Sequence, residues 1–204
     1  PKNFAAIATS IADNMDTLFG SFLIGERPSG TKDPYGLRRK TDGIIRTMVD
    51  REINTETDAL VEYTGSLFDM DGVERAVASL ESYFQERLER VLERVYSVPY
   101  DVVNAISVGS RLNFYDSYLR ASTLEKFKER QEMKDLVDSF KRIVNITQER
   151  EKGEVEEELF RLNEEKALWS TVSGKKDEMD KLAREQSYRD LARELIGLKD
   201  PIDD

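Results

Sequence analysis

Between Pro28 and Thr47 five cations, Lys32, Arg38, Arg39, Lys40 and Arg46, accompany two carboxylates, Asp33 and Asp42. That is a local charge of +3 in a chain whose net charge is −10. Gly25, Pro28, Ser29, Gly30 and Pro34 spell a loop around them, and Asp33-Pro34 reads as the N-cap and first-turn proline of a following helix. A loop that feeds a helix N-terminus can hold a phosphate through backbone N–H groups. Arg38 and Arg39 on the first turns would add charge-assisted, bidentate contacts. The plain alternative is that these arginines pair with carboxylates at the edge of a core while the loop merely turns. Thr31-Lys32-Asp33 lacks the G-x-x-x-x-G-K-[ST] frame, so this is not a nucleotide P-loop.

A second stretch, Arg111 to Gln148, carries eight basic and six acidic residues, a local +2. Arg111, Arg120, Lys141 and Arg142 lie there with Tyr115 and Tyr118, and single-stranded RNA is bound by aromatic stacking plus cations on the backbone. The same residues also fit a solvated helix face over an aromatic core. Asp13 and Asp16, three apart, share a helix face and could hold a divalent cation, but with no third ligand in view they read equally as helix surface. Glu154, Glu156, Glu157 and Glu158 suit a helix start and would repel RNA. Glu149 to Asp204 holds 11 basic and 17 acidic residues, net −6. Trp169 reads as core or as a plug between helices.

The composition removes most other chemistry. With no cysteine and no histidine, there is no thiolate, no disulfide, no imidazole general base or metal ligand, and no Ser-His or Cys-His pair. An acidic chain is no indiscriminate nucleic-acid binder, so any RNA contact must come from a local patch. No apolar run approaches the roughly 20 residues of a membrane span. Hydrophobic residues at 39% and charged residues at 35% of 204 give a protein of one large or two small domains, a helical binding or scaffold piece. The charge of both signs with few Gly and Pro resembles a thermophile surface. Pro1 at the start, and Lys199 to Asp204 closing just after a turn signal, suggest a piece excised from something longer.

The elements that must position these groups are all helical. Phe4, Ile7, Ala8, Ile11, Met15, Leu18 and Phe22 recur at threes and fours, and a second helix runs through Leu37, Ile44, Ile45, Met48 and Val49. A third helix is expected over about Thr55 to Leu67. Asp71-Gly72-Val73-Glu74 has the form of a capping box, followed by Val73, Val77, Leu80, Phe84, Leu88, Val91 and Val95 with charged residues opposite. Ser97-Val98-Pro99 breaks that helix, and Tyr100 to about Val108 forms a short one. Later cores should include Phe114, Tyr118 and Phe127; Met133, Leu136, Val137, Phe140 and Val144; Val155, Leu159, Leu162 and Trp169; and Met179, Leu182, Tyr188, Leu191 and Leu195. Gly153 and Gly174 read as breaks. The fold class is all-α, a multi-helix bundle with a junction near Ser97 to Tyr100.

Three segments carry a family resemblance. Ile11-Ala12-Asp13-Asn14-Met15-Asp16-Thr17-Leu18-Phe19-Gly20, then Ile24-Gly25, then Pro28-Ser29-Gly30-Thr31-Lys32-Asp33-Pro34-Tyr35-Gly36-Leu37-Arg38-Arg39 resembles the pattern A-D-K-L-D-T-L-x-G-x-F-x-I-G-x-x-P-T-G-S-x-D-P-F-x-L-R-R of bacterial glycyl-tRNA synthetase beta subunits. Tyr100 to Ala105 is similar to the family's Y-D-V-I-x-A, and Phe140 to Ile146 to its F-K-R-V-x-N-I.

The resemblance implies a part of a glycine–tRNA ligase, a heterotetramer of two alpha and two beta subunits. The alpha subunit uses ATP and Mg2+ to attach glycine, and the beta subunit binds glycine tRNA. It implies that residues 1–97 end an HD-like helical domain and that residues 98–204 form most of a helical anticodon-binding domain similar to that of arginyl-tRNA synthetase. Asp13 would match the last acidic position of the HD motif, but without histidine this chain cannot complete that metal site, which argues against an HD phosphohydrolase. No catalytic residue and no cofactor or metal ligand is expected here. Lys32, Arg38, Arg39, Lys40, Arg46, Arg111, Arg120, Lys141, Arg142 and Asn145 become the candidate tRNA contacts. The implied partners are glycine tRNA and the alpha subunit, in the cytoplasm, with no DNA and no membrane. The competing reading is a scaffold that holds the beta subunit together or docks alpha without touching RNA.

Overall fold

A computed structural model of the chain describes residues 3–107, 112–147, 153 and 155–203. Within them lie ten α-helices and no β-strand, and no helix is long and apolar enough to cross a membrane. The chain divides into two compact units, Pro1–Ser122 and Thr123–Asp204.

The first unit contains α1 (Phe4–Leu23), α2 (Leu37–Asp50), α3 (Thr57–Gly65), α4 (Val73–Arg94), α5 (Tyr100–Ile106) and the start of α6 (Phe114–Lys128). Helix α4 packs against α1, α2, α3 and α5, because its stripe Ala76, Leu80, Phe84, Leu88, Val91 and Leu92 is buried throughout. Facing it are Leu18, Phe19 and Phe22 of α1, Ile44, Ile45 and Met48 of α2, Val61, and Phe114, whose ring meets that of Phe84 at 5.3 Å. Gly65 is a point of close approach. A Cβ there would sit 3.0 Å from Phe19 Cζ and 3.1 Å from Val77 Cγ2, so any other residue would push these side chains back by a few tenths of an ångström. Three bonds fix the entry to α6: Thr57 N–H donates to the Leu112 carbonyl (2.7 Å), Leu112 N–H to Asp58 (3.1 Å), and the Asn113 amide to Asn54 (2.8 Å).

Two helix starts differ from expectation. The Asp71–Glu74 capping box does not form: Gly72, at φ +92°, is the residue before α4, with no side-chain cap. Helix α2 begins three residues later than Asp33-Pro34 suggests, behind Gly36 at φ +63°, a left-handed conformation that glycine adopts without strain. Ser97, at φ +57°, turns the chain between α4 and α5. The apolar row of α1 is only partly buried, since Phe4 is 78% exposed while Phe19, outside the expected row, is fully buried. Val108, the expected end of the short helix, lies outside the described residues.

The second unit contains the end of α6, then α7 (Gln131–Thr147), α8 (Asn163–Arg184), α9 (Tyr188–Ile196) and α10 (Lys199–Asp203), with a single 3-10 turn at Glu157–Leu159. Its core is small: Phe127, Met133 and Leu136, with Ala192, Leu195 and Ile196 against them. Gly174 does not break a helix; α8 runs through it, since one glycine costs an otherwise favourable helix only about 1 kcal/mol. The Glu165 carboxylate accepts from Arg161 N–H (2.7 Å) and Leu162 N–H (2.9 Å), capping α8, and these two bonds lower its pKa. Val144, Val155, Leu159 and Leu162, expected as core, are 50–68% exposed. Val144 lies on α7, but Val155, Leu159 and Leu162 precede α8 in extended chain and the 3-10 turn, so the helix expected to carry them does not form there. Trp169 is half-buried, donates to Glu157 (2.7 Å) and meets Phe160 edge-on at 6.5 Å.

Candidate phosphate-binding surface

The loop from Ile24 to Gly36 is built around a tight turn in which Ser29 and Lys32 exchange backbone hydrogen bonds of 3.0 and 2.8 Å. This leaves Lys32 exposed near its tip. The Asp33 carboxylate then accepts from the N–H groups of Leu37 (2.7 Å) and Arg38 (3.2 Å). The chain's own aspartate therefore occupies the first-turn donors of α2, where an external anion would otherwise sit. Any phosphate held here must be held by side chains.

Those side chains point three ways. Arg38 folds back over the loop and donates to the Gly30 carbonyl at 2.9 Å. Lys40 leans onto α1, donating to Asn14 Oδ1 at 3.1 Å and lying 3.8 Å from Asp13, so it ties two helices together. Arg39 and Arg46 are exposed; seven residues apart, they stand two turns apart on one face of α2. Lys32, Arg38, Arg39 and Arg46 have no ion-pair partner among the described residues. Of the two acidic residues in α2, Asp50 at its end is exposed and accepts from Tyr96, and Asp42 is gripped by Arg87 of α4 at 2.6–2.9 Å. Its charge is thereby taken off the outer surface, and the loop and α2 present a positive edge on an acidic protein.

The second candidate set is arranged differently. Arg111 lies outside the described residues. Arg120 turns inward and sits 3.0 Å from Asp116, 22% and 16% exposed respectively. Tyr118 lies against Tyr96 with ring centroids 4.9 Å apart. Tyr96 in turn donates to Asp50 at 2.6 Å, and burial, then that bond, raise its phenol pKa well above the usual value. Tyr118 is therefore already engaged in a tilted ring contact, with 51° between the planes. In the second unit Lys141 pairs with Asp138 at 3.1 Å, and Arg142 reaches Asp203 at 2.5 Å and Ser139 at 3.0 Å. Asn145 is exposed. Pairs as exposed as these are weak and can exchange partners. Among the described residues no three His, Cys, Asp or Glu side chains gather as a metal site, and Asp13 lies 3.8 Å from Lys40.

Sequence reasoning passed over Arg27, Arg87 and Arg90. Arg87 and Arg90 belong to the charged side of α4, opposite its apolar row, and Arg27 to the loop before α2. Their three-residue spacing shows that Arg87 and Arg90 share a face, but only tertiary packing brings the α1–α2 loop to it.

A sequence-family model described as "Glycyl-tRNA synthetase beta subunit" matches residues 1–108. The whole chain aligns with the "Glycine--tRNA ligase beta subunit" of Clostridioides difficile (29% identical over 206 residues), with that of Thermotoga petrophila (30% over 204) and with that of Bacillus subtilis (27% over 203). Each alignment covers 100% of this chain, and the chain spans 29–30% of the length of these relatives.

Proposed function

The chain belongs to the glycyl-tRNA synthetase beta-subunit family, and on that premise we propose that it is a tRNA-binding part of a glycine–tRNA ligase. In this reading the alpha subunit attaches glycine to its tRNA with ATP and Mg2+, and this chain supplies contacts to the RNA. The working enzyme is a cytoplasmic heterotetramer. In the same reading residues 1–97 are the C-terminal part of an HD-like domain and residues 98–204 form most of a helical anticodon-binding domain.

The observation that supports this reading is the set of cations Lys32, on the loop, and Arg39 and Arg46, on one face of α2, all exposed and without ion-pair partners among the described residues. A protein of net charge −10 that leaves such cations free at its surface is arranged to attract phosphates locally. Arg38, Lys141, Arg142 and Asn145 are further contacts in this reading. Lys40 and Arg120 serve it indirectly, by holding helices in place.

A second reading, a scaffold that docks the rest of the beta subunit or the alpha subunit, draws on a different observation. An open apolar groove of about 320 Å3 runs along α1 and α3, flanked by Phe4, Tyr63 and Leu67, which are 65–78% exposed. Exposed apolar surface of this kind marks a contact face.

Titrating the full-length protein with glycine tRNA and a non-cognate tRNA at two salt concentrations separates the two readings. The tRNA reading expects steeply salt-dependent binding, with the slope reduced by about one for each of Arg39→Gln and Arg46→Gln. Affinity and slope unchanged by both substitutions would favour the scaffold.

A further inference from the structure

Between the α1–α2 loop and α4 lies a cleft of about 440 Å3, wholly within the first unit. Four guanidinium groups line it, from Arg27, Arg38, Arg87 and Arg90. Three carboxylates oppose them: Glu86 on the cleft wall, paired with Arg90 at 2.6 Å, Asp42, held by Arg87 from behind, and Asp33, which accepts from the Arg38 backbone N–H at 3.2 Å. Four cations against three anions leave a surplus of +1.

The surplus is carried by Arg27 and Arg38, whose guanidinium groups have no carboxylate partner among the described residues. Both are held in place by neutral groups. Arg27 lies over the Phe22 ring, 5.5 Å from its centroid, and donates to Ser79 Oγ; Arg38 donates to the Gly30 carbonyl. Each guanidinium keeps further N–H donors for a ligand. The Ser79 hydroxyl, accepting from Arg27, retains its own proton to donate. Tyr83 also lines the cleft, and burial raises its phenol pKa. The exposed Arg90–Glu86 pair is readily exchanged for a more highly charged partner.

We propose that this cleft is a binding pocket for a phosphate group, contacted by Arg27, Arg38 and Arg90 and positioned by the Arg87–Asp42 pair. Planar guanidinium forks on two sides match the tetrahedral oxygens of a phosphate. The cleft has room for the sugar that carries the phosphate as well as for the phosphate itself. The phosphate belongs either to an RNA backbone, in which case the pocket rests on the tRNA reading above, or to a free phosphate compound, in which case it does not.

The test uses the full-length protein and its Arg27→Gln, Arg38→Gln and Arg51→Gln variants. Arg51 is exposed and does not line the cleft, so it controls for loss of charge. Two probes are titrated: inorganic pyrophosphate, followed by thermal stabilisation against chloride of equal ionic strength, and glycine tRNA. The proposal expects Arg27→Gln and Arg38→Gln each to weaken at least one probe about tenfold, as loss of a charge-assisted bond does, while Arg51→Gln does not. An effect on tRNA alone, with the salt slope reduced by about one, assigns the pocket to an RNA phosphate. An effect on pyrophosphate alone assigns it to a free phosphate compound, and holds even where the tRNA reading fails. If neither probe distinguishes these two variants from Arg51→Gln, the proposal is overturned.

Discussion

Arg87 of α4 holds Asp42 of α2 through both carboxylate oxygens, with one terminal nitrogen 2.7 and 2.6 Å from them and Nε 2.9 Å from the first. The pair joins two helices and neutralises an acid that would otherwise sit within the positive edge. It is therefore a stability contact and an electrostatic one together.

Arg87→Met should lower stability by about 1–3 kcal/mol, because it strands a partly buried carboxylate. It should also weaken tRNA binding, because Asp42 regains its field beside Arg39 and Arg46. A denaturant midpoint and a tRNA titration on the same variant read both effects. The double change Arg87→Met with Asp42→Asn should restore much of the RNA affinity; failure to do so would show that Arg87 acts on RNA directly.

Gly65→Ala should destabilise by about 1–3 kcal/mol through overpacking, since its Cβ would press on Phe19 and Val77 at 3.0 and 3.1 Å. Gly174→Ala, with nothing within 4 Å of the added carbon, should be neutral or stabilising because α8 is continuous there. Thermal midpoints of the two variants moving in the same direction would contradict this packing.

The five cations of Pro28–Thr47 should not contribute equally to RNA affinity. Lys40→Gln should cost less than Arg39→Gln or Arg46→Gln, since Lys40 is engaged with Asn14 and Asp13 while the two arginines face solvent. Equal losses at all three positions, measured by tRNA titration, would mean that the ties of Lys40 yield to RNA.

In the second unit, Asp203 accepts from Ser139 and pairs with Lys199 and Arg142, and these contacts lower its pKa; the same contact with Asp203 raises that of Lys199. A lowered carboxyl stabilises the folded state above the ordinary aspartate value near 3.9 and loses that contribution as pH falls through the folded value. A raised amine stabilises below the ordinary lysine value and loses its contribution as pH rises through the folded one. The contacts of Asp203 with Ser139 and Arg142 that join α10 to α7 should thus hold at neutral pH and loosen as pH falls, whereas the Lys199–Asp203 pair lies within α10 itself. Amide exchange in α10 should show the acid limb, and Asp203→Asn should abolish it.

The all-α character, the buried centre of α4 and the bend after it were legible from residue spacing, because a 3.6-residue period is local information; the helix expected through Val155 to Leu162 is instead extended chain and a 3-10 turn. The positive segment was legible from charge counting, and the long motif through Asp13 to Arg39 carried the family. What no local pattern could show is where each cation points. Arg38, Arg39 and Lys40 are consecutive, so each turns about 100° from the last, and it is the neighbouring helix or loop that makes one a pocket wall, one a free surface charge and one a tie. The same holds for Asp33, whose carboxylate fills the helix start that a phosphate would otherwise use, and for Arg87 and Arg90, which became part of a cleft only when the α1–α2 loop packed over α4. Periodicity also marked the apolar faces of α1 and α7 without showing what covers them. A sequence states which face is apolar; burial depends on what packs against it, and that is decided by the assembled chain.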